Sequence, residues 1–157
     1  MTQAVGDLRA YLAGPWAFLR HLDDRRLQQP GSIVGWATFE PEGAGLVYRE
    51  EGRLWFGGDR GTATRSYRYR FYDPDRAEVE FEDGRPFHRL CLSAGRCAVE
   101  HLCGGDRYRG VFETLGANTL RVRWRVEGPR KDYRLTTDYL RFADPACDRL
   151  RSLIDAA

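Results

Sequence analysis

Lysine is almost missing from this chain. Of 25 basic residues all but Lys131 are arginine, and 23 acidic residues reduce the net charge to +2. The arginines are spread along the chain, so no basic cluster marks a nucleic-acid surface. Such a mixture builds a solvated, ion-paired exterior. Long apolar runs are missing too: nothing approaches the ~20 residues of a helical membrane span. The opening segment MTQAVGDLRAYLAGPW is polar, with an early Asp7, and does not read as a secretory signal. A cytoplasmic location is therefore expected, with Cys91, Cys97, Cys103 and Cys147 as reduced thiols in no disulfide. There is no G-x-S-x-G elbow, no phosphate-loop glycine pattern and no paired-carboxylate site. Nor is there a tight C-x-x-C knuckle. Cys97, His101 and Cys103 share one strand face, but along a flat strand the two thiols stand about 20 Å apart. Neither a metal nor a cofactor is expected. Repeats, linkers and low-complexity segments are absent, and residues 1–157 read as one domain.

What the sequence has is strand and turn chemistry. Aromatics make up 13% of the residues and there are 17 glycines. Segments rich in Val, Tyr, Phe, Trp and Thr are punctuated by EPEGAG, GGDRG, EDGR, SAGR, CGGD, LGAN and EGPRK. The turns are short, so neighbouring strands pair antiparallel. About nine or ten strands in a meander must hide their edges, and closing into an up-and-down barrel is the simplest way. A short helix is expected within residues 2–14, ended by Gly14-Pro15. A second should begin at Asp144-Pro145 with Asp144 as N-cap.

Hairpin arithmetic gives registers. A turn at Ala94-Gly95 sets Leu92 opposite Cys97, Leu90 opposite Val99 and His88 opposite His101, with Arg89 and Glu100 as an opposite-charge pair outside. Asp83-Gly84, a type I′ signal, sets Val79 opposite His88. Gly104-Gly105 sets His101 opposite Tyr108 and Glu100 opposite Arg109. A turn at residues 116–118 sets Tyr108 opposite Val126, and Pro129-Arg130 sets Val126 opposite Tyr133. TLRVRWRV alternates cleanly, with Leu120, Val122, Trp124 and Val126 inward. Val79, His88, His101, Tyr108, Val126 and Tyr133 thus fall in one inward layer near one barrel end, smeared by strand stagger.

Two imidazoles and two phenols in an apolar wall can be a filled core whose polar groups satisfy one another. They can also be the convergent polar groups of a ligand pocket. The leading expectation is a barrel that binds a small, partly apolar molecule. His88, His101, Tyr108 and Tyr133 would give polar contacts, with Trp124, Leu90, Val99 and Leu135 as walls. Arg130 and Lys131 in GPRKDY would form a cationic rim for an anionic ligand. A second expectation is an enzyme using His88 and His101, with Tyr108, as acid and base in an isomerisation or hydration. A third is a non-catalytic interaction protein with a filled barrel.

The motifs GPW (residues 14–16) and TDY (residues 137–139) resemble lipocalin signatures, although TDY falls here in the last strand rather than before the last strand pair. FEDGRPFH, EHLCGGDRYRG and EGPRKDYRLTTDY resemble an uncharacterised bacterial family of unknown function, over about Trp16 to Arg141. The resemblance implies a calycin-like β-barrel and, with it, ligand binding; it implies no particular activity.

Overall fold

The computed structural model describes residues 2–157. Ten strands follow one another: β1 (Gly14–Asp24), β2 (Gln29–Glu42), β3 (Gly45–Phe56), β4 (Asp59–Asp73), β5 (Arg76–Phe81), β6 (Pro86–Cys91), β7 (Arg96–Cys103), β8 (Asp106–Gly116), β9 (Thr119–Glu127) and β10 (Asp132–Leu140). All pairings are antiparallel and run in the order β6-β5-β4-β3-β2-β1-β10-β9-β8-β7. Each strand pairs with its sequence neighbour, and β1 meets β10 to bend the sheet round. The result is the expected up-and-down barrel, closed except for the seam between β6 and β7.

The registers expected for four hairpins are observed. Val79 lies opposite His88, His101 opposite Tyr108, Tyr108 opposite Val126 and Val126 opposite Tyr133. One of them arises differently from the expectation. The β5–β6 turn closes on Phe81 and Arg85 rather than Glu82 and Arg85, with Gly84 at φ 87° supplying the left-handed residue. That shifts the ladder by one residue, and an unpaired Phe87 between Pro86 and His88 shifts it back. The bulge turns Phe87 inward beside His88, so two consecutive residues of β6 are buried.

The pairing of His88 with His101 is not formed, because β6 and β7 share no ladder. The Leu92 carbonyl at the end of β6 accepts instead from Val5 N–H at 3.0 Å and Gly95 N–H at 2.9 Å, and the Gly95 carbonyl turns to Thr114 N–H. The outer Arg89–Glu100 pair is absent for the same reason. Arg89 pairs with Glu78 at 3.2 Å and Glu100 with Arg107 at 2.9 Å.

The seam and one barrel end are covered by the N-terminal segment. Gln3 and Val5 run extended, donating to Thr114 and Leu92 carbonyls, which keeps the first helix short: α1 covers Leu8–Leu12. The Asp7 carboxylate caps it by accepting from Ala10 N–H at 3.0 Å. Leu8 and Leu12 are fully buried under the turns, and Trp16 donates its indole N–H to the Leu12 carbonyl at 2.9 Å. Burial of side chains of this size contributes roughly 1.5–3 kcal/mol each. α2 (Ala146–Ala156) packs outside the barrel, burying Cys147 and Leu150 against Ala17 and Val34. It starts one residue later than expected, yet the Asp144 carboxylate still accepts from Ala146 N–H at 2.9 Å. All four cysteines are free thiols. Among the described residues no helix is long and apolar enough to cross a membrane.

Candidate binding site

Away from α1, the barrel opens into a cavity of about 580 Å³. It lies at the end carrying the β5–β6, β7–β8 and β9–β10 turns. Strand alternation points Trp124 and Val126 of β9 and Tyr133 and Leu135 of β10 into it, with His101 and Cys103 of β7 and Tyr108 of β8 facing them. The floor is aromatic. Phe87, pushed in by its bulge, stacks on Trp124 at 5.2 Å and an interplanar angle of 12° and on Phe81 at 4.5 Å and 25°, with the Tyr67 ring tilted against it at 5.3 Å. Gly110 permits this: a Cβ there would come within 2.8 Å of the Trp124 ring opposite it.

Beneath the floor the barrel is nearly full. A residual void of about 30 Å³ shares Arg65, Tyr67, Phe87 and Trp124 with the upper cavity. Around it lies a buried polar network. Arg20 donates in fork geometry to both Glu50 oxygens at 2.7 and 2.9 Å, to Thr137 Oγ1 at 2.8 Å and to the Tyr139 hydroxyl at 3.3 Å. The Tyr48 hydroxyl donates to Glu50 at 2.8 Å and meets the Tyr139 hydroxyl at 2.9 Å. Burial pushes the Glu50 carboxyl up, but the Arg20 hydrogen bonds and charge outweigh it and hold the group below the usual carboxylate range. Burial raises the hydroxyls of Tyr48 and Tyr139 above the usual phenol value, so both stay protonated. Arg65 reaches this network from the cavity side, with Nε 3.4 Å from Glu50 Oε1.

Of the residues expected at a site, His101, Tyr108, Trp124 and Tyr133 line the cavity together, with Leu135. His88 does not. It is buried behind the floor, with its ring 4.8 Å from Phe87, 5.3 Å from Phe112 and 5.7 Å from Trp124. Phe87 also meets the His101 ring at 5.3 Å, so the bulged phenylalanine packs against both imidazoles and no hydrogen bond links them. His88 Nδ1 has no hydrogen-bond partner among the described residues. Burial lowers its pKa to about 4, with the Arg89 backbone opposing and the His101 charge adding, so the ring is neutral near pH 7. Leu90 and Val99 are core residues away from the cavity. Arg130 and Lys131 lie outside the lining. Lys131 Nζ donates to the Tyr108 hydroxyl at 2.8 Å and pairs with Asp106 at 3.1 Å, while the Arg130 carbonyl accepts from Arg26 at 2.6 Å. Among the described residues no group of three or more His, Cys, Asp or Glu side chains is arranged to hold a metal.

Sequence reasoning passed over Arg20, Glu50 and Arg65, yet the signal was present as parity. Arg20 follows Trp16 and Phe18 on the inward face of β1, and Glu50 follows Leu46 and Tyr48 on that of β3. Arg65 precedes Tyr67 and Tyr69 on β4.

A family model described as a family of unknown function (DUF6314) matches residues 12–141. The chain belongs to this family. The match covers the whole stretch, about Trp16 to Arg141, over which FEDGRPFH, EHLCGGDRYRG and EGPRKDYRLTTDY carry a family resemblance. None of the curated proteins matches it. Among solved structures, this DUF6314 member is similar to the S-type phycobiliprotein lyase CPES from Guillardia theta, with a TM-score of 0.65 at 7% identity over 90% of this chain and 94% of that one. A protein of unknown function from the DUF3598 family of Nostoc punctiforme matches with a TM-score of 0.55 at 13% identity. That match covers 88% of this chain and 49% of the Nostoc chain, so the present chain spans about half its length. A de novo designed fluorescence-activating β-barrel gives 0.49 at 14% identity over 87% and 99%. At these identities the likeness is one of fold.

Proposed function

We propose that the barrel binds a small, partly apolar molecule in the cavity at its open end. One observation carries the reading: a cavity of about 580 Å³, walled mainly by apolar and aromatic side chains, with a few polar groups converging on it. Small-molecule sites have this size and lining. The ligand body rests against the aromatic floor of Phe87 and Trp124, and the Tyr133 and Tyr108 hydroxyls with the His101 ring set its orientation. A holding role fits better than acid–base chemistry by a histidine pair, which needs both imidazoles at the ligand, whereas His88 stands behind Phe87.

Fluorescence titration with the neutral apolar dye N-phenyl-1-naphthylamine tests this. Saturable binding is expected. Leu135→Trp, which fills the cavity from β10, should weaken it at least about tenfold, since each lost contact with the floor is lost transfer free energy. Thermal unfolding reports that the variant is folded. A folded Leu135→Trp protein that binds the dye as well as the parent would overturn the assignment, as would the absence of saturable binding.

A further inference from the structure

We infer that the cavity takes a monoanion with an apolar body, whose negative charge is received by Arg65 at the cavity floor; the inference rests on the binding reading above and adds the charge of the ligand. Arg20 and Glu50, with side chains 3% and 2% exposed, neutralise each other through a two-point pair. The remaining acceptor capacity of Glu50 goes to the Tyr48 hydroxyl at 2.8 Å. Arg65 adds a second cation to this one carboxylate, through Nε at 3.4 Å, the longest of the contacts to Glu50. The cluster of Arg20, Glu50 and Arg65 therefore carries one surplus positive charge.

That surplus stands where a ligand can reach it. Arg65 lines both the open cavity and the void below, and 31% of its side chain is accessible. Its guanidinium lies 6.0 Å from the Tyr67 ring centre and donates from Nη1 to the Tyr67 hydroxyl at 3.4 Å. Among the described residues the other terminal donors have no protein acceptor. A guanidinium presents a planar fork to an oxyanion. The ligand body meets the aromatic floor of Phe87 and Trp124, which line the cavity together with Arg65. Arg85, the other cation on the cavity wall, is already held by Asp83 at 2.7 Å.

The test compares two dyes of one aromatic frame, the sulfonate 8-anilinonaphthalene-1-sulfonate and neutral N-phenyl-1-naphthylamine, titrated at low salt with the parent, Arg65→Met and Arg65→Gln. The parent should bind the anion at least about tenfold more tightly than the neutral dye. Either neutral variant, whichever folds, should lose about tenfold on the anion and stay within twofold on the neutral dye. If the neutral dye binds saturably and the anion gains nothing in the parent, or keeps its gain without Arg65, the inference fails and the binding reading stands. If neither dye binds, both fail.

Discussion

The two halves of this barrel share strands but are built on opposite terms. In the half nearest α1 a polar network is sunk and paired within itself: Arg20, Glu50, Tyr48, Tyr139 and Thr137 satisfy one another around a void of about 30 Å³. In the open half, a cavity of about 580 Å³ is walled mainly by apolar and aromatic side chains, with a few polar groups such as His101, Tyr133 and Arg65 reaching it. The plane between them is the aromatic floor of Phe87, Trp124 and Tyr67. Closed polar networks rigidify, whereas open ones leave partners to be supplied from outside. The same chain therefore separates the part that fixes the barrel from the part that can receive something.

The largest expected effect comes from breaking the closed half. Glu50→Gln removes the carboxylate and strands the Arg20 charge where its side chain is 3% exposed. Leaving one member of a buried pair uncompensated costs about 3–5 kcal/mol. Urea unfolding should show a loss of that size, and the double change Arg20→Met with Glu50→Leu should recover much of it, since an apolar pair of similar volume replaces a buried ion pair at little cost. Leu135→Trp in the open half should cost far less. A Glu50→Gln loss below about 1 kcal/mol would erase the contrast between the halves.

His88 belongs with the closed half despite sitting on the strand that leads to the mouth, and pH sharpens that distinction. Burial holds its pKa at about 4, against about 6.5 in the unfolded chain. Between these values the unfolded chain binds the proton and the folded one resists it, so stability falls as pH drops from about 6.5 to about 4 and levels off below. Integrated over that window, the contribution is on the order of 3 kcal/mol. His88→Leu removes the group, so the difference in unfolding free energy between parent and variant should shift by that amount between pH 7 and pH 4. A difference that stays constant across the window would mean that the ring is protonated in the folded barrel.

Much of this architecture was legible because strand alternation and turn residues are local. TLRVRWRV set β9, and Gly104-Gly105 and Pro129-Arg130 set their hairpins. The layer of His101, Tyr108, Val126 and Tyr133 followed from those registers and is the one that lines the cavity. Three things were not local. The Phe87 bulge cancels a one-residue shift in the β5–β6 turn, so the Val79–His88 pairing looks the same from sequence with or without it. The open β6–β7 seam depends on Val5, far away in the chain, taking the Leu92 carbonyl. The buried charges were a third case. An arginine at an inward position reads as an irregularity until its partner, thirty residues on, is found at an inward position of its own.

The smallest expected effect tests where the positive charge of the mouth matters. GPRKDY looks like a cationic rim, yet Lys131 is tied to Asp106 and the Tyr108 hydroxyl outside the cavity wall. Those hydrogen bonds, the one to Tyr108 first, raise its pKa. They also neutralise it as a ligand contact: its charge is answered by Asp106, while the charge of Arg65 is surplus to Glu50. At 41% side-chain exposure the Lys131–Asp106 pair is screened by water, so Lys131→Met should cost less than about 1 kcal/mol in urea unfolding. The affinities for the anionic and the neutral dye should both stay within about twofold of the parent, because a rim charge adds mainly to the approach of a ligand and little to its retention. A tenfold loss confined to the anion in Lys131→Met would move the anion site from the floor to the rim, and the division between a sealed half and a receptive half would then run through the turns rather than through Phe87.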